Sequence, residues 1–314
     1  MASPSLPRLF SRLMIAGGLL LAADVFAADP LDEWTWRGPG PKESFKGDNY
    51  NGIAYYDGTL VVVGGASKVL LRRDNANGWQ VFDPGTQHPL YAITTANGIF
   101  YAVGARGTVL TSKGGETWVA RNSTVSVPLM AITYTDSVFA VLGDGGTIIT
   151  SGRSGLWSAK ASGSIDALYG VAYFNQMFVA VGANGTVIKS DNASLWVQQS
   201  SGTNGSLNAI ATDRKIFVAV GDDGLIMTSP DGSKWTLRES GTHRALMGVS
   251  YDHGTFVAVG ATGTIATSPD GITWKQRPSG VTHLLKSVVF ARSSFWAVGW
   301  NGAILESGNL AGQK

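Results

Sequence analysis

The sequence of 314 residues contains no cysteine, which excludes disulfide bonds, thiolate catalysis and cysteine-bound zinc. Charged residues are scarce, at 15%, and the 24 basic and 22 acidic side chains form no run. A nucleic-acid-binding stripe and a polybasic membrane patch are therefore disfavoured. Helical spacing of apolar residues is also missing beyond residue 27. What the chain has in abundance is glycine, with 41 residues, and tryptophan, with 10, and this composition is typical of an all-β protein.

The first 27 residues have the features of a secretory signal peptide. Arg8 and Arg12 precede an apolar run at residues 13–23, and small residues at the positions that a signal peptidase reads lead up to Ala27. The run is shorter than the ~20 residues that span a bilayer, and no second hydrophobic segment follows. We therefore predict cleavage after Ala27 and export to a periplasm, a lumen or the outside of the cell, with one folded domain over residues 28–314.

The predicted domain contains one unit that is repeated seven times. Glycines that end a predicted strand recur after 40 residues once and then every 39 residues, at Gly64, Gly104, Gly143, Gly182, Gly221, Gly260 and Gly299. Tryptophans recur every 39 residues, at Trp79, Trp118, Trp157, Trp196, Trp235 and Trp274. Seven such units nearly fill the 287 residues that remain after cleavage (314 minus 27), so a second domain is not expected.

Each unit predicts four short strands. In the sixth unit they are residues 246–251, 255–259, 264–268 and 272–277. The second strand is apolar throughout, as expected for a strand buried on both faces, and a glycine-containing hairpin follows it. The first strand has a small residue at one recurring place, namely Gly52, Ala92, Ala131, Gly170, Ala209, Gly248 and Ser287. This pattern predicts an all-β, seven-bladed β-propeller with four antiparallel strands per blade. A parallel β-helix is the alternative, and it has shorter repeats.

The seventh unit ends before its tryptophan-bearing fourth strand. The missing piece stands at the other end of the sequence, where Thr35-Trp36 matches Thr117-Trp118. We therefore predict that residues 34–37 join the last blade as its outer strand. This closure of the ring removes an exposed sheet edge, which is a common site of aggregation.

Two turns that precede a tryptophan carry a family resemblance. Residues 229–235 read Ser-Pro-Asp-Gly-Ser-Lys-Trp and residues 268–274 read Ser-Pro-Asp-Gly-Ile-Thr-Trp, and both resemble Asp-box (BNR) repeats. With the Val-Gly-x-x-Gly-Thr hairpins, they make the chain similar to the Ycf48-like branch of the sialidase-type propellers. The resemblance implies structural turns on the face away from the ligand site, formed by Ser229, Asp231, Trp235, Ser268, Asp270 and Trp274. Four blades replace the aspartate, with Asn75, Gly114, Arg153 and Asn192.

Carboxylates that are suited to catalysis are few. Resemblance to an enzyme of the sialidase type would imply an arginine triad, a Tyr–Glu pair and an acidic proton donor. Glycoside hydrolysis in general needs two carboxylates that flank one bond. The five glutamates are all predicted away from the inner strands, at Glu33, Glu43, Glu116, Glu239 and Glu306. Asp48 and Asp166 leave a glycoside hydrolase open, but a non-enzymatic protein without a cofactor or bound metal is favoured.

Polar residues recur near one predicted mouth of the ring, in the loops that lead into the inner strands and in one hairpin. The candidate binding residues are Asp48, His88, Arg106, Asp166, His243, Arg244 and His283. They favour an anionic ligand or an acidic segment of a partner, to which arginine offers bidentate geometry. The alternative is that these loops are polar only because they face water. A metal bound by His88, His283 and Asp48 is disfavoured, because ligands from separate blades would have to converge to ~2 Å from one ion.

Several large side chains are candidates for the channel along the ring axis, although packing between blades explains such residues more often. They are Tyr91, Met130, Tyr169, Met247 and Trp300.

Two functions of different classes follow from these residues. The first is an exported binding module that docks an envelope or membrane protein partner on its loop face. The Ycf48-like resemblance implies an assembly factor for membrane protein complexes, by analogy of fold. The second is a glycan-binding protein or a degenerate sialidase-like glycoside hydrolase. Neither a nucleic-acid partner nor a transmembrane segment is predicted.

Overall fold

The computed structural model describes residues 29–39, 48–65, 68–135, 137–152 and 155–312. The predicted signal peptide and Arg153 lie outside these ranges. Within them the chain forms seven four-stranded antiparallel sheets, which are the blades of one β-propeller, and this confirms the predicted fold class. A short 3-10 helix at Pro30–Asp32 precedes the first strand. Among the helices in these ranges, none has both the length and the apolar character to cross a bilayer.

The strands are numbered in chain order, and β1 (Trp34–Trp36) precedes the first complete blade. Blades one to three consist of β2 (Tyr50–Tyr56), β3 (Thr59–Gly64), β4 (Val69–Arg73), β5 (Gln80–Phe82), β6 (Leu90–Ala96), β7 (Ile99–Gly104), β8 (Val109–Ser112), β9 (Val119–Arg121), β10 (Leu129–Tyr134), β11 (Phe139–Gly143), β12 (Ile148–Ser151) and β13 (Trp157–Lys160). Blades four to six consist of β14 (Leu168–Phe174), β15 (Met177–Gly182), β16 (Val187–Ser190), β17 (Val197–Gln199), β18 (Leu207–Thr212), β19 (Phe217–Gly221), β20 (Ile226–Ser229), β21 (Thr236–Arg238), β22 (Leu246–Asp252), β23 (Thr255–Gly260), β24 (Ile265–Ser268) and β25 (Lys275–Arg277). Blade seven consists of β26 (Leu285–Ala291), β27 (Ser294–Gly299), β28 (Ile304–Ser307) and β1.

The second strand of each blade forms the apolar centre of its sheet. β3, β11 and β19 are buried along their whole length, as their apolar sequences predict. The apolar clusters lie between neighbouring blades, so that Val61 and Val63 of blade one pack with Phe100 and Ala102 of blade two. A blade therefore buries both of its faces only when a neighbour stands on each side, and the ring is stable as a whole rather than blade by blade.

The outer strand of the sixth blade is shorter than its sequence predicts. β25 begins at Lys275, whereas the sequence predicts a strand from Ile272. The backbone nitrogens of Ile272 and Thr273 donate to the Asp270 carboxylate at 2.8 and 2.9 Å. These two residues therefore belong to a turn that is organised by a side chain, and they take no part in the strand ladder.

Every inner strand contains a β-bulge directly after its first residue. In blade four, Leu168 faces Gly182 and Gly170 faces Val181, so that Tyr169 has no partner across the ladder. The same shift of register occurs in the other six inner strands. Because a bulge re-aims a side chain out of the alternating pattern, this feature determines what lines the centre of the ring.

The N-terminal strand closes the ring. β1 pairs antiparallel with β28, and Trp36 faces Leu305. The backbone nitrogen of Arg37 extends this pairing by donating to the Ile304 carbonyl at 2.7 Å. Trp34 and Trp36 pack on the apolar cluster that blades six and seven share. The predicted closure by the N-terminal strand is therefore confirmed, but the predicted match of Thr35-Trp36 with Thr117-Trp118 is wrong by two residues. Thr35 faces Glu306 as Val119 faces Thr111, and Trp34 Nε1 donates to the Leu31 carbonyl as Trp118 Nε1 donates to the Gly115 carbonyl. Trp34 therefore takes the place of Trp118.

Ion pairs attach the segment before β1 to blade six. The Arg277 side chain, only 8% exposed, donates from Nη1 to Asp29 Oδ2 at 2.6 Å and to Asp32 Oδ1 at 2.7 Å. Lys275 Nζ lies 3.3 Å from Asp32 Oδ2. The hydrogen bond from Arg277 is the main cause that holds the pKa of Asp32 below its ordinary value, although desolvation acts in the opposite direction.

We expect Arg277→Ala to lower the free energy of unfolding at pH 7 by about 2 kcal/mol, because charge-assisted hydrogen bonds are lost. The pKa of Asp32 is lower in the folded than in the unfolded protein. The ionised carboxylate therefore stabilises the fold fully above the ordinary pKa of aspartate, and this contribution disappears as the pH falls through the lowered value. Urea unfolding at pH 7 and at successively lower pH values measures both effects.

Arg238→Ala is the matched control, because Arg238 has the same place in blade five. Arg238 Nε donates to the Thr228 hydroxyl of the adjacent strand at 2.9 Å. Arg277 Nε donates in the same way to the Thr267 hydroxyl at 2.8 Å. Within the described part of the chain, Arg238 has no carboxylate partner. The difference in stability between the two variants should shrink in acid. A difference that stays constant down to low pH would show that these ion pairs do not stabilise the closure.

Candidate functional site

Two kinds of turn at one end of the ring form a single surface, which we call the loop-bearing face. It consists of the hairpins between second and third strands and of the loops that run from an outer strand to the next inner strand. The backbone nitrogen of Gly263 donates to the His283 carbonyl at 2.7 Å, and that of Gly302 donates to the Asp48 carbonyl at 2.8 Å. Each bond joins the hairpin of one blade to the loop that enters the next blade, so the loops follow one another around the face in fixed positions.

Glycine is required at the end of the hairpin turns. Five of the hairpins contain a 3-10 turn, at Ala105–Gly107, Asp144–Gly146, Ala183–Gly185, Asp222–Gly224 and Ala261–Gly263. At Gly185 the φ angle is +69°, and a Cβ would lie 1.9 Å from the Thr203 carbonyl oxygen. These glycines therefore supply the positive φ that the tight turn needs, and the close approach of the next loop is a second reason for them.

The two acidic candidates on this face already have polar partners. Asp166 accepts hydrogen bonds from Asn184 Nδ2 at 2.9 Å and from Thr186 Oγ1 at 2.8 Å, both in its own blade. Asp48 Oδ1 lies 3.7 Å from Lys68 Nζ, also in its own blade. The two carboxylates are thus engaged separately, in blades four and one, and they do not form the facing pair that glycoside hydrolysis generally needs.

The basic candidates lie along the same face without converging. Three of them are exposed, namely Arg106, His243 and Arg244, and two are half-buried, namely His88 and His283. The Arg244 guanidinium contacts the Thr262 hydroxyl, and His283 Nδ1 lies 3.4 Å from Asn301 Nδ2. In the described ranges, no group of three or more histidine, aspartate or glutamate side chains could hold a metal ion. The candidates form an arc of separate polar groups, and their role in binding stays a prediction.

The tryptophan-bearing turns lie at the other end of the ring. Asp231 Oδ1 accepts hydrogen bonds from two backbone nitrogens of its turn, at 2.9 and 3.0 Å, and Trp235 Nε1 donates to the Gly232 carbonyl at 3.2 Å. The turn of residues 268–274 repeats this pattern. Hydrogen bonds from the backbone are the main cause that lowers the pKa of Asp231 and of Asp270. Both carboxylates are therefore used within their turns.

Two glutamates form ion pairs on outer parts of the blades. Glu306 Oε2 accepts a hydrogen bond from Arg37 Nε at 2.7 Å, at the place where other blades pair an arginine with a threonine. Glu116 pairs with Arg73 of the neighbouring blade. Neither glutamate lies on an inner strand, so neither is in a position to act on a ligand at the centre of the ring.

A cavity of about 660 Å³ lies at the centre of the ring, near the loop-bearing face. Seven bulge residues, one from each inner strand, line it and are called the bulge ring: Asn51, Tyr91, Met130, Tyr169, Asn208, Met247 and Lys286. The recurring small residues follow them and let the strands approach, so that a Cβ on Gly170 would lie 3.0 Å from the Ala209 Cα. Trp300 and Asp222 contribute from two hairpins. The large side chains considered for the channel therefore do line it.

Two members of the bulge ring connect neighbouring blades. Asn51 Nδ2 donates to the Leu90 carbonyl at 2.9 Å, and Asn208 Nδ2 donates to the Leu246 carbonyl at 3.0 Å. Asn208 Nδ2 also donates to Asp222 Oδ1 at 2.9 Å. These amides therefore hold the inner strands of blades one and two, and of blades five and six, together at the cavity.

Lys286 is the one cation among the described residues that line the cavity. Desolvation by burial lowers its pKa. Its ammonium group forms no ion pair with a described carboxylate, Asp222 included. Asn51, Asn208 and Lys286 were not predicted as site residues. The signal that could have found them is their position directly before the recurring small residue of each inner strand.

Comparison with protein families gives a partial match. Residues 32–168, which are less than half of the chain, match the family model described as the DUF6242 beta propeller domain. No curated protein matches the chain. The specific resemblance to Asp-box repeats stays a prediction.

Solved structures share the fold at low sequence identity. Ycf48 from Cyanidioschyzon merolae is 16% identical, with a TM-score of 0.70 over 88% of this chain and 98% of that chain. A Ycf48 bound to a D1 peptide is 15% identical, with a TM-score of 0.72 over 90% and 98% of the two chains. Virginiamycin B lyase from Staphylococcus aureus is 12% identical, with a TM-score of 0.74 over 88% and 99%. The chain is thus similar in fold to β-propellers of different function, Ycf48 among them.

Proposed function

We propose that this chain is an exported, non-enzymatic propeller that docks a segment of an envelope or membrane protein on its loop-bearing face, as an assembly factor does. The observation that carries the proposal is the central cavity near that face. It presents tyrosine, methionine and tryptophan side chains, and one cation that has no ion pair with a described residue, around a space of about 660 Å³. Aromatic residues and methionine are enriched where proteins bind one another, and buried aromatic anchors contribute most of the affinity.

The size of the cavity favours an extended segment of a partner. A space of this volume holds a small ligand or a few side chains, and the arc of polar residues on the loop-bearing face offers further contacts around it. The Ycf48 structure that contains a D1 peptide supports this mode of binding, because it is a propeller of similar fold that holds a peptide. The inference to this chain is one of analogy between folds.

The described carboxylates favour binding over hydrolysis. Asp48 and Asp166 are engaged in separate blades, and Glu116 and Glu306 are paired with arginines away from the cavity. Asp222, which lines the cavity, accepts a hydrogen bond from Asn208. A retaining or inverting glycosidase requires two carboxylates that flank one bond of the substrate. With these partners, none of the five carboxylates belongs to such a pair.

Affinity capture with crosslinking, in cells of the source organism, tests the proposal. The wild-type chain should capture one defined envelope or membrane protein, and the captured chain should begin at Ala28 by mass spectrometry. We expect the double variant Arg106→Ala and Arg244→Ala to capture at least about fivefold less, because charges at the rim of an interface favour association. The matched control is Lys113→Ala with Lys234→Ala, which removes two charges from the tryptophan-bearing turns and should leave capture unchanged.

Equal capture by the two double variants would show that the docking face has been assigned wrongly. Turnover of a fluorogenic sialoside by the purified protein, if Asp48→Asn abolished it, would exclude a non-enzymatic function. Selective binding to a glycan array, with no protein captured, would favour a lectin instead.

A further inference from the structure

The bulge ring varies where the rest of the repeated unit is constant. Its seven positions hold two asparagines, two tyrosines, two methionines and one lysine, whereas the next position in each strand is always small. Asn51 and Asn208 use their amides to join blades. The hydroxyls of Tyr91 and Tyr169 form no hydrogen bond to a described residue, although both residues line the cavity. Met247 Sδ accepts a hydrogen bond from Asn208 Nδ2 at 3.6 Å, so four of the seven side chains form no hydrogen bond to a described residue and are available to a ligand.

The backbone of Lys286 is held firmly while its side chain faces the cavity. A Cβ on Gly248 of blade six would lie 2.6 Å from the Lys286 carbonyl oxygen, so the two inner strands are in direct contact. Along the ring, Lys286 lies between Met247 and Asn51. Trp300, which is 44% exposed, comes from the hairpin of the same blade and also lines the cavity.

The ammonium group of Lys286 lacks a counter-ion within the described structure. Desolvation lowers its pKa, which means that the charged form is less favourable here than in water. Asp222 is the one carboxylate in the described lining, and it bonds to Asn208 instead. An anion that entered the cavity would replace the lost hydration of the ammonium group and would raise its pKa again.

We propose that the central cavity is a binding site for an organic carboxylate. The Lys286 ammonium donates to the carboxylate, and tyrosine, methionine and Trp300 side chains of the lining surround the apolar group next to it. A charge-assisted hydrogen bond in a partly desolvated site is stronger than one at the surface. The proposal goes beyond the docking of a protein segment, because the ligand is defined by its carboxylate. A free organic acid and the carboxyl terminus of a polypeptide both present that group.

The side-chain signal of Lys286 tests the proposal directly. Lysines of the purified protein are labelled by reductive methylation with ¹³C, which retains the charge, and the Lys286 signal is assigned by its absence from Lys286→Met. Titration with 3-phenylpropionate should shift this signal in a saturable manner and raise the pKa of Lys286. The uncharged 3-phenylpropionamide is the matched control and should leave the signal unchanged.

Variants separate the charge of Lys286 from its bulk. Lys286→Met should weaken binding of 3-phenylpropionate about tenfold or more in calorimetry, because the charged donor is lost. The variant should fold, since Met130 and Met247 occupy the equivalent position in two other blades. Lys286→Arg should retain part of the affinity. Lys68→Met is the control and should bind 3-phenylpropionate as the wild type does. Lys68 is an exposed lysine on the loop-bearing face, where its Nζ lies 3.7 Å from Asp48 Oδ1.

Two tripeptides distinguish the sources of the carboxylate: N-acetyl-Gly-Gly-Phe with a free carboxyl terminus, and the same peptide amidated. Binding of the free tripeptide alone would assign the site to chain ends, and binding of both acids would assign it to organic acids in general. Either result supports the proposal if the Lys286→Met variant no longer binds the acid. If neither acid shifts the Lys286 signal, or if the amides bind equally well, the proposal is wrong. Capture of a protein partner uses Arg106 and Arg244, so failure of one proposal is distinguishable from failure of the other.

Discussion

Deletion of residues 28–37 should abolish cooperative folding of the entire ring. The seventh sheet would lose its outer strand, and β28 would become an exposed edge. The apolar cluster of blades six and seven would lose Trp34, Trp36 and the buried Leu31, and Arg277 would lose both of its carboxylate partners. We expect the free energy of unfolding to fall by more than about 5 kcal/mol, which is comparable to the whole stability of many domains. Circular dichroism during urea unfolding measures this loss.

A synthetic peptide of residues 28–39 is the control for this deletion. Added to the truncated chain, it should restore a cooperative transition, because it supplies the missing strand. The same peptide with both Trp34→Ala and Trp36→Ala should restore much less. If the truncated chain unfolded with the midpoint of the intact chain, the ring would be closed by other contacts and the role given to β1 would be wrong.

Gly182→Ala should lower the free energy of unfolding by more than about 3 kcal/mol, because overpacking at a rigid site forces the surrounding backbone to shift. The φ angle of Gly182 is −167°, which any residue adopts, so strain of the backbone is not the cause. A Cβ there would lie 2.1 Å from the Ala167 carbonyl oxygen. That oxygen also accepts a hydrogen bond from the Ala183 nitrogen at 2.9 Å, which would be disturbed. The free energy from urea unfolding gives the result.

Gly78→Ala provides the comparison, because a Cβ on Gly78 meets no atom of a described residue within 4 Å. The free energy of unfolding of this variant should lie within about 0.5 kcal/mol of the wild-type value, as is usual for surface substitutions. Equal stability of the two alanine variants would mean that the strand end and the next loop separate easily, despite the close approach of Gly182 to the Ala167 carbonyl.

The fold is largely predictable from the sequence, because one unit recurs with a constant period. Gly182 and its equivalents mark the place where the second strand meets the loop before the inner strand, and only a residue without a side chain fits there. The start of the outer strand is less predictable. Ile272 has the character of a strand residue, yet its nitrogen bonds to Asp270, and only the three-dimensional turn reveals that competition.

The candidate site is predictable only in part. Asp166 and Arg244 lie on the loop-bearing face as the meander of strands requires, but their partners Asn184 and Thr262 depend on side-chain geometry that spacing does not encode. Three members of the bulge ring, Asn51, Asn208 and Lys286, escaped prediction for a different reason. Alternation along a strand assumes a regular ladder, and a bulge shifts that register by one residue. The orientation of Lys286 toward the cavity follows from such a shift.

The position of crosslinks within a captured complex shows which end of the ring a partner docks on. A photoreactive amino acid is placed on the loop-bearing face, at Asn204 or Thr282, and on the tryptophan-bearing turns, at Lys113 or Lys234; all four residues are exposed. If a partner docks over the central cavity, the two positions on the loop-bearing face should crosslink to one and the same envelope or membrane protein, and the two turn positions should not. Crosslinks to that protein from the turns alone, or equally from both ends of the ring, would show that the partner does not dock over the central cavity.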